Sequence, residues 1–208
     1  MQLYAITDRR LFARPEELLE QVILWAESGV DYMQIREKDL PVHTLTALAA
    51  QIVGTVRAAG SRTRVLLNGA AEIAAATGCD GVHLTSSIAD DVIAPTRAAL
   101  RETLTDPVIS VSCHTISEVE RARDRGATLA LFAPVFEKRV GTEKRVDPGI
   151  LPGQGLVALG EACRMAAPMS VFALGGVTVS NAMDCVDAGA AGVAAIRLFV
   201  TEGWRDLQ

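Results

Sequence analysis

One short phrase recurs along this chain and limits what it can fold into. "SGVDYMQI", "TGCDGVHL", "RGATLALF" and "AGAAGVAAI" each pair a helix-ending glycine and a short turn with an apolar strand. Strands are expected at Gln2–Ile6, Tyr32–Ile35, Arg64–Leu67, Gly81–Leu84, Val108–Ser112, Thr128–Phe132, Ser170–Leu174 and Gly192–Ile196. Segments of helical period lie between them. "PEELLEQVILWAESG" opens on Pro15 and two glutamates and closes at Gly29, and "TLTALAAQIVGTVRAAG" closes at Gly60. "TISEVERARDRG" places Glu118 three residues after Thr115, the pattern of a capping box, and closes at Gly126. Continuous apolar strands alternating with helices imply a parallel sheet buried on both faces. Eight such units in 208 residues predict an α/β chain forming a single-domain (β/α)8 TIM barrel over residues 1–208, near the lower size limit of that fold. A doubly wound open sheet is the competing topology. It usually carries a G-x-G-x-x-G or a P-loop after its first strand, and "AITDRRLF" has neither.

Composition narrows the function classes. Half of the chain is apolar, yet no run reaches the ~20 apolar residues that span a bilayer. Met1–Arg10 reads as a strand-like opening without the apolar region of a signal peptide. The four cysteines, Cys79, Cys113, Cys163 and Cys185, form no C-x-x-C pair and read as buried thiols of a cytoplasmic protein. A net charge of −5 argues against a nucleic-acid or membrane-surface partner, so any anionic ligand must be held by local groups. The longest candidate for an irregular loop, Ala133–Gly153, "APVFEKRVGTEKRVDPGILPG", suits a lid over a ligand.

In a barrel of this type the chemistry sits at the C-terminal ends of the strands. The first strand ends at Thr7-Asp8-Arg9, and the second supplies Gln34, Arg36 and Lys38. Asn68 ends the third and His83 the fourth; Ser112-Cys113-His114 follow the fifth. The loop after the sixth carries Glu137, Lys138 and Lys144. Gly175-Gly176 end the seventh, with Thr178 at a helix start, and Arg197 ends the eighth. Gly175, Gly176 and Arg197 are read as a phosphate site: glycines let backbone N–H groups approach a ligand, a helix N-terminus favours an anion, and a guanidinium adds bidentate charge. A tight turn without a ligand is the other reading of the glycine pair. Arg36 and Lys38 point to a second anionic group, unless they close the barrel mouth as ion pairs. His114 is the candidate acid–base, since imidazole titrates near neutral pH. His83 divides between packing and function. His43, after Pro41, is expected at the surface, and no spacing gives Cys113 a basic partner. Converging carboxylates for a metal are few: Asp8, Glu37 and Glu137, with Asp90 and Asp91 expected inside a helix.

"YAITDRRLF", "GVDYMQIREKD", "LLNG", "CDGVHL", "VSCHTISEVERARDRGA", "LFAPVFEK" and "FALGGVTVSNAMDCVDAGAAGVAAI" together resemble the thiamin phosphate synthase and thiazole tautomerase family over nearly the whole chain. The resemblance implies a (β/α)8 barrel and one of two reactions. The synthase branch joins a pyrimidine pyrophosphate to a thiazole phosphate and expels pyrophosphate. For it the resemblance implies Mg2+, held by an Asp directly after the third-strand Asn and another after an "H-L-G-Q" stretch. Here those positions read Gly69 and, after His83-Leu84, Thr85-Ser86-Ser87-Ile88. The tautomerase branch isomerises a dihydrothiazole carboxylate phosphate by proton transfer and uses no metal. It shares Asn68-Gly69, Val135-Phe136-Glu137 and a catalytic histidine that aligns with His114. Arg197 stands where the family usually has a small residue, and neither Lys138 nor Lys144 aligns securely with the family's loop lysine. The expectation is therefore a thiamin-biosynthesis enzyme acting on a thiazole phosphate, first a tautomerase with catalytic His114. Gln34, Arg36, Lys38, Asn68, His83 and Lys144 are expected on the substrate, with Gly175, Gly176 and Arg197 on its phosphate. No cofactor is expected in that case. The alternatives are a thiamin phosphate synthase with Mg2+ and a non-catalytic barrel that binds a thiazole or thiamin phosphate. A homodimer is expected only by analogy with other such barrels.

Overall fold

The structure is a computed structural model that describes residues 1–86, 91–140 and 149–208. Six strands come first: β1 (Gln2–Ile6), β2 (Tyr32–Ile35), β3 (Arg64–Leu67), β4 (Gly81–Leu84), β5 (Val108–Cys113) and β6 (Leu129–Phe132). After a small hairpin of β7 (Lys138–Val140) and β8 (Gly149–Leu151) come β9 (Ser170–Leu174) and β10 (Gly192–Ala195). The eight long strands close a parallel barrel in the order β1-β10-β9-β6-β5-β4-β3-β2. Every barrel strand lies within a residue or so of its expected bounds. The helices are α1 (Pro15–Glu27), α2 (Val42–Ala58), α3 (Ala71–Thr77), α4 (Ile93–Arg101), α5 (Ile116–Asp124), α6 (Gly155–Ala166) and α7 (Ala182–Asp187). No helix among the described residues is long and apolar enough to cross a membrane.

The repeated phrase has a steric cause as well as a topological one. A Cβ at Gly81 would lie 1.9 Å from the Val108 carbonyl oxygen, and one at Gly192 1.9 Å from that of Gln2. Only glycine lets these strands begin so close to their neighbours. Alternation then sorts the side chains. Tyr4, Ile6, Leu66, Val108, Leu129, Leu131, Phe172 and Ala194 fill the barrel interior. Their neighbours in sequence, such as Ala5, Leu67, Ile109 and Ala173, face the helices in a larger outer core.

Three expectations are corrected. The eighth unit has no α-helix: 3-10 turns at Arg197–Phe199 and Glu202–Leu207 follow β10. They are held by Trp25, whose Nε1 donates to the Phe199 carbonyl at 3.1 Å, and by stacking of Phe199 on Trp204. The segment after β6 is not wholly irregular, because β7 and β8 pair antiparallel with Arg139 opposite Ile150. Asp91 sits in a turn before α4 and pairs with Arg125 at 3.0 Å, so it is not inside a helix. Asp90 and Lys144 lie outside the described residues.

Candidate active site

At the rim, Glu37 organises the ends of β1 and β2. Its carboxylate is buried, 3% exposed, although it sits between two cations in sequence. It accepts from the Thr7 hydroxyl at 2.7 Å, from the Arg9 backbone N–H at 3.0 Å and from Arg9 Nη1 at 3.1 Å. Arg9 also grips Asp39 with a two-pronged contact at 2.6 and 2.7 Å, which lowers the Asp39 carboxyl to about 2. Asp8 is occupied by Arg10, whose hydrogen bond holds its carboxyl below the ordinary range. The first strand's cations are thus neutralised locally. Arg36 and Lys38 are not: among the described residues neither enters an ion pair. The ion pair at the mouth belongs to Glu37 and Arg9, which leaves the two cations that were expected to meet an anion. Desolvation, and then the Arg36 charge, lower the Lys38 ammonium.

Below the rim runs a polar chain that the sequence did not disclose. Tyr4 Oη lies 3.3 Å from both Gln34 Oε1 and Ser110 Oγ. Ser110 Oγ lies 2.8 Å from His83 Nδ1, and His83 Nε2 lies 2.9 Å from Ser112 Oγ. Gln34 and His83 are 1% and 4% exposed, so both are buried in the barrel, and only Ser112 at the end of this chain is half-buried. Burial, then the charges of Arg36 and Lys38, push the His83 imidazole down to about 3. His83 is therefore neutral, donating to one serine and accepting from the other. Burial also raises the Tyr4 phenol far above its ordinary value. The chain gives Tyr4, His83, Ser110 and Ser112 hydrogen-bond partners, as a low-dielectric interior requires.

Asn68 is half-buried and donates through Nδ2 to the His83 carbonyl at 3.1 Å, tying β3 to β4. A Cβ at Gly69 would meet Leu67 at 3.3 Å and Leu45 at 3.9 Å, so a side chain there starts out toward the apolar layer under α2. Gly69 does not have a left-handed backbone, so turn geometry does not demand glycine there.

The loops after β6 and β9 form one unit. Val135 N–H donates to the Leu174 carbonyl at 2.9 Å and Phe136 N–H to that of Gly175 at 3.0 Å. Gly175 and Gly176 have φ of 94° and 67°. A Cβ at Gly175 would lie 2.8 Å from Pro134, and one at Gly176 2.6 Å from the Glu137 carbonyl oxygen. Conformation and close packing both require the pair, so the tight-turn reading accounts for both glycines. Beyond the glycines, Thr178 and Asn181 form a capping box, and Asn181 Nδ2 donates to the Gly176 carbonyl at 3.1 Å. The exposed Arg197 opens the 3-10 turn after β10 and forms no ion pair among the described residues.

His114 is exposed at the end of β5 and borders this unit. Its Nδ1 lies 2.7 Å from the Ala133 carbonyl, which only accepts, so the neutral ring carries its proton on Nδ1 and a lone pair on Nε2. Gln154 Nε2 donates to the same carbonyl at 3.1 Å. The Thr115 hydroxyl caps α5 as expected, but the Glu118 carboxylate reaches one residue further back, to the His114 N–H. Cys113 is buried, and burial pushes its thiol up to about 12, which removes it as a nucleophile. His43 is at the surface, as expected.

Among the described residues the carboxylates at the strand ends do not assemble a Mg2+ site. Asp8 and Glu37 are each paired with an arginine, Glu137 is exposed, and Gly69 supplies no side-chain oxygen. Among the described residues no three His, Cys, Asp or Glu side chains cluster.

Fold and site together define a (β/α)8 barrel with cationic side chains and a glycine turn at the C-terminal ends of its strands. A family profile described as thiamine monophosphate synthase matches residues 3–199. The chain belongs to that family, an enzyme family of thiamin biosynthesis. It is 33% identical over 199 residues to the thiamine-phosphate synthase of Roseiflexus castenholzii, covering 93% of this chain and 78% of the relative. It is 34% identical to the synthase of Methanoculleus marisnigri, covering 97% and 88% of the two chains. The solved thiamine phosphate pyrophosphorylase of Pyrococcus furiosus superposes with a TM-score of 0.74 at 24% identity, covering 98% and 90%, a likeness of fold. The resemblance read from the motifs is thereby borne out. The relatives' names are those of a transferase, and they favour the synthase alternative over the tautomerase expectation.

Proposed function

We propose that this chain is a thiamin-biosynthesis enzyme that binds a thiazole phosphate at its barrel mouth and acts as a thiamin phosphate synthase. The observation that carries the reading is a mouth with two sets of anion-binding groups. Arg36 and Lys38 stand after β2 without ion-pair partners among the described residues. The Gly175-Gly176 turn and Arg197 stand after β9 and β10, three and two strands away round the ring. A thiazole phosphate and a pyrimidine pyrophosphate are two anionic substrates, and two such regions suit them. The names of the relatives support this choice. The thiazole phosphate sits on the glycine turn and Arg197, and Arg36 and Lys38 face the charge that grows on the departing pyrophosphate. No step is routed through Mg2+, because the carboxylates among the described residues do not assemble a site for one.

A second reading, the metal-independent tautomerase, is favoured by one specific observation: Gly69, whose side-chain direction leads into leucines where the synthase branch is expected to hold a metal ligand. There His114, with its Nε2 lone pair, moves the proton, and Arg36 with Lys38 holds the carboxylate. Calorimetric titration with thiazole phosphate tests what the readings share. Arg197→Gln should weaken binding about tenfold or more, and an unchanged affinity removes the phosphate assignment. His114→Gln separates the two. The tautomerase predicts a loss of at least ~10²-fold in isomerisation with product binding retained.

A further inference from the structure

We propose that Glu37 is a positioning residue, whose buried carboxylate locks the ends of β1 and β2 so that Arg36 and Lys38 present a paired cationic site to an anionic substrate group; this rests on the anion-site reading above. The segment from Arg36 to Asp39 is fixed at three residues. The Arg36 backbone N–H donates to Thr7 Oγ1 at 3.0 Å, and the same hydroxyl donates to Glu37 Oε1 at 2.7 Å. Glu37 also takes the Arg9 backbone N–H, at 3.0 and 3.2 Å to its two oxygens, and Arg9 Nη1 at 3.1 Å. Asp39 takes the other prongs of Arg9.

This arrangement solves an electrostatic conflict. A carboxylate near two cations lowers the field they offer to an anion unless its own charge is met elsewhere. Here Glu37 is buried against the end of β1 and its charge is met by Arg9, so Arg36 and Lys38 keep theirs. Burying a carboxylate is costly unless it is paired and hydrogen-bonded, and its three donor groups meet that condition. A strut that only fastened two strand ends would need no charge. What this one adds is the aim of the flanking cations, because alternate residues at a strand end face opposite ways.

The sign of the effect makes the proposal testable. Removing a negative charge beside a cation pair strengthens anion binding by Coulomb's law alone. Loss of aim weakens it. Inorganic pyrophosphate is titrated calorimetrically into the wild type, Glu37→Gln, Thr7→Val and the double variant Arg36→Gln/Lys38→Gln. Circular dichroism accompanies each titration to show folding. Glu37→Gln and Thr7→Val should both bind at least about tenfold more weakly. Equal or tighter binding by a folded Glu37→Gln overturns the proposal. Should Glu37→Gln fail to fold, Thr7→Val decides alone, since it keeps both charges of the Glu37–Arg9 pair. Unaltered affinity there is the overturning result. If the wild type binds no pyrophosphate, or the double variant binds it as well as the wild type, the anion-site reading falls and takes this proposal with it.

Discussion

His83 is held at both ring nitrogens, is buried near the charges of Arg36 and Lys38, and is pushed down to about 3. The consequence for stability has a definite sign. Below about pH 6.5 the unfolded chain takes up a proton at this position and the folded chain does not until about pH 3. The stability that a neutral His83 allows is therefore present above pH ~6.5 and is lost as the pH falls through that window. Between pH 7 and 5 the loss amounts to roughly 2 kcal/mol. Urea unfolding of the wild type and of His83→Gln at both pH values should show this extra loss in the wild type alone; equal losses would contradict it. The site was only half legible at this scale. A strand-end rule finds His83, Asn68, His114 and the glycine pair. It finds Ser112 at the end of the fifth strand but not Tyr4 or Ser110, because a residue inside a strand becomes significant only when the closed ring shows which alternate residues point inward. Glu37 was seen beside Arg36 and Lys38 but not as Arg9's partner, because that contact joins β1 to β2.

Elements are where sequence and structure agree most closely, for a physical reason. Strands buried on both faces and stopped by glycine or a polar residue leave little freedom in their bounds. The disagreements come where burial is weak. β8 is exposed along its length and has no apolar pattern to announce it. The eighth unit ends in 3-10 turns fixed by distant aromatic packing on Trp25. The coupled loops after β6 and β9 carry the clearest prediction. Gly176→Ala puts a Cβ 2.6 Å from the Glu137 carbonyl oxygen and 2.7 Å from Phe136 Cβ, at a φ of 67°. It should cost roughly 1–3 kcal/mol and weaken phosphate binding, read by thermal unfolding and titration on one preparation. Wild-type stability and affinity would contradict the coupling of the two loops.

At the scale of the whole molecule, one repeated unit closes into a ring and brings distant strand ends to a shared mouth. Thr7, Glu37, His83, His114 and Gly175 are scattered in sequence, and the parallel barrel collects their strand ends at one face. Fold and family were legible because they depend on pattern repeated over the entire chain. The choice between two reactions was not, because it turns on a few atoms: the absent carboxylate at Gly69 and the lone pair of His114. The relatives are named thiamine-phosphate synthases, and the proposed synthase reading depends on Arg36 and Lys38 meeting the pyrophosphate. The most direct measurement is release of pyrophosphate from pyrimidine pyrophosphate and thiazole phosphate, at high enzyme, with and without Mg2+. The account predicts pyrophosphate and thiamin phosphate in equal amounts, abolished in Arg36→Gln/Lys38→Gln. No release under either condition would contradict it and leave the tautomerase reading to the isomerisation assay.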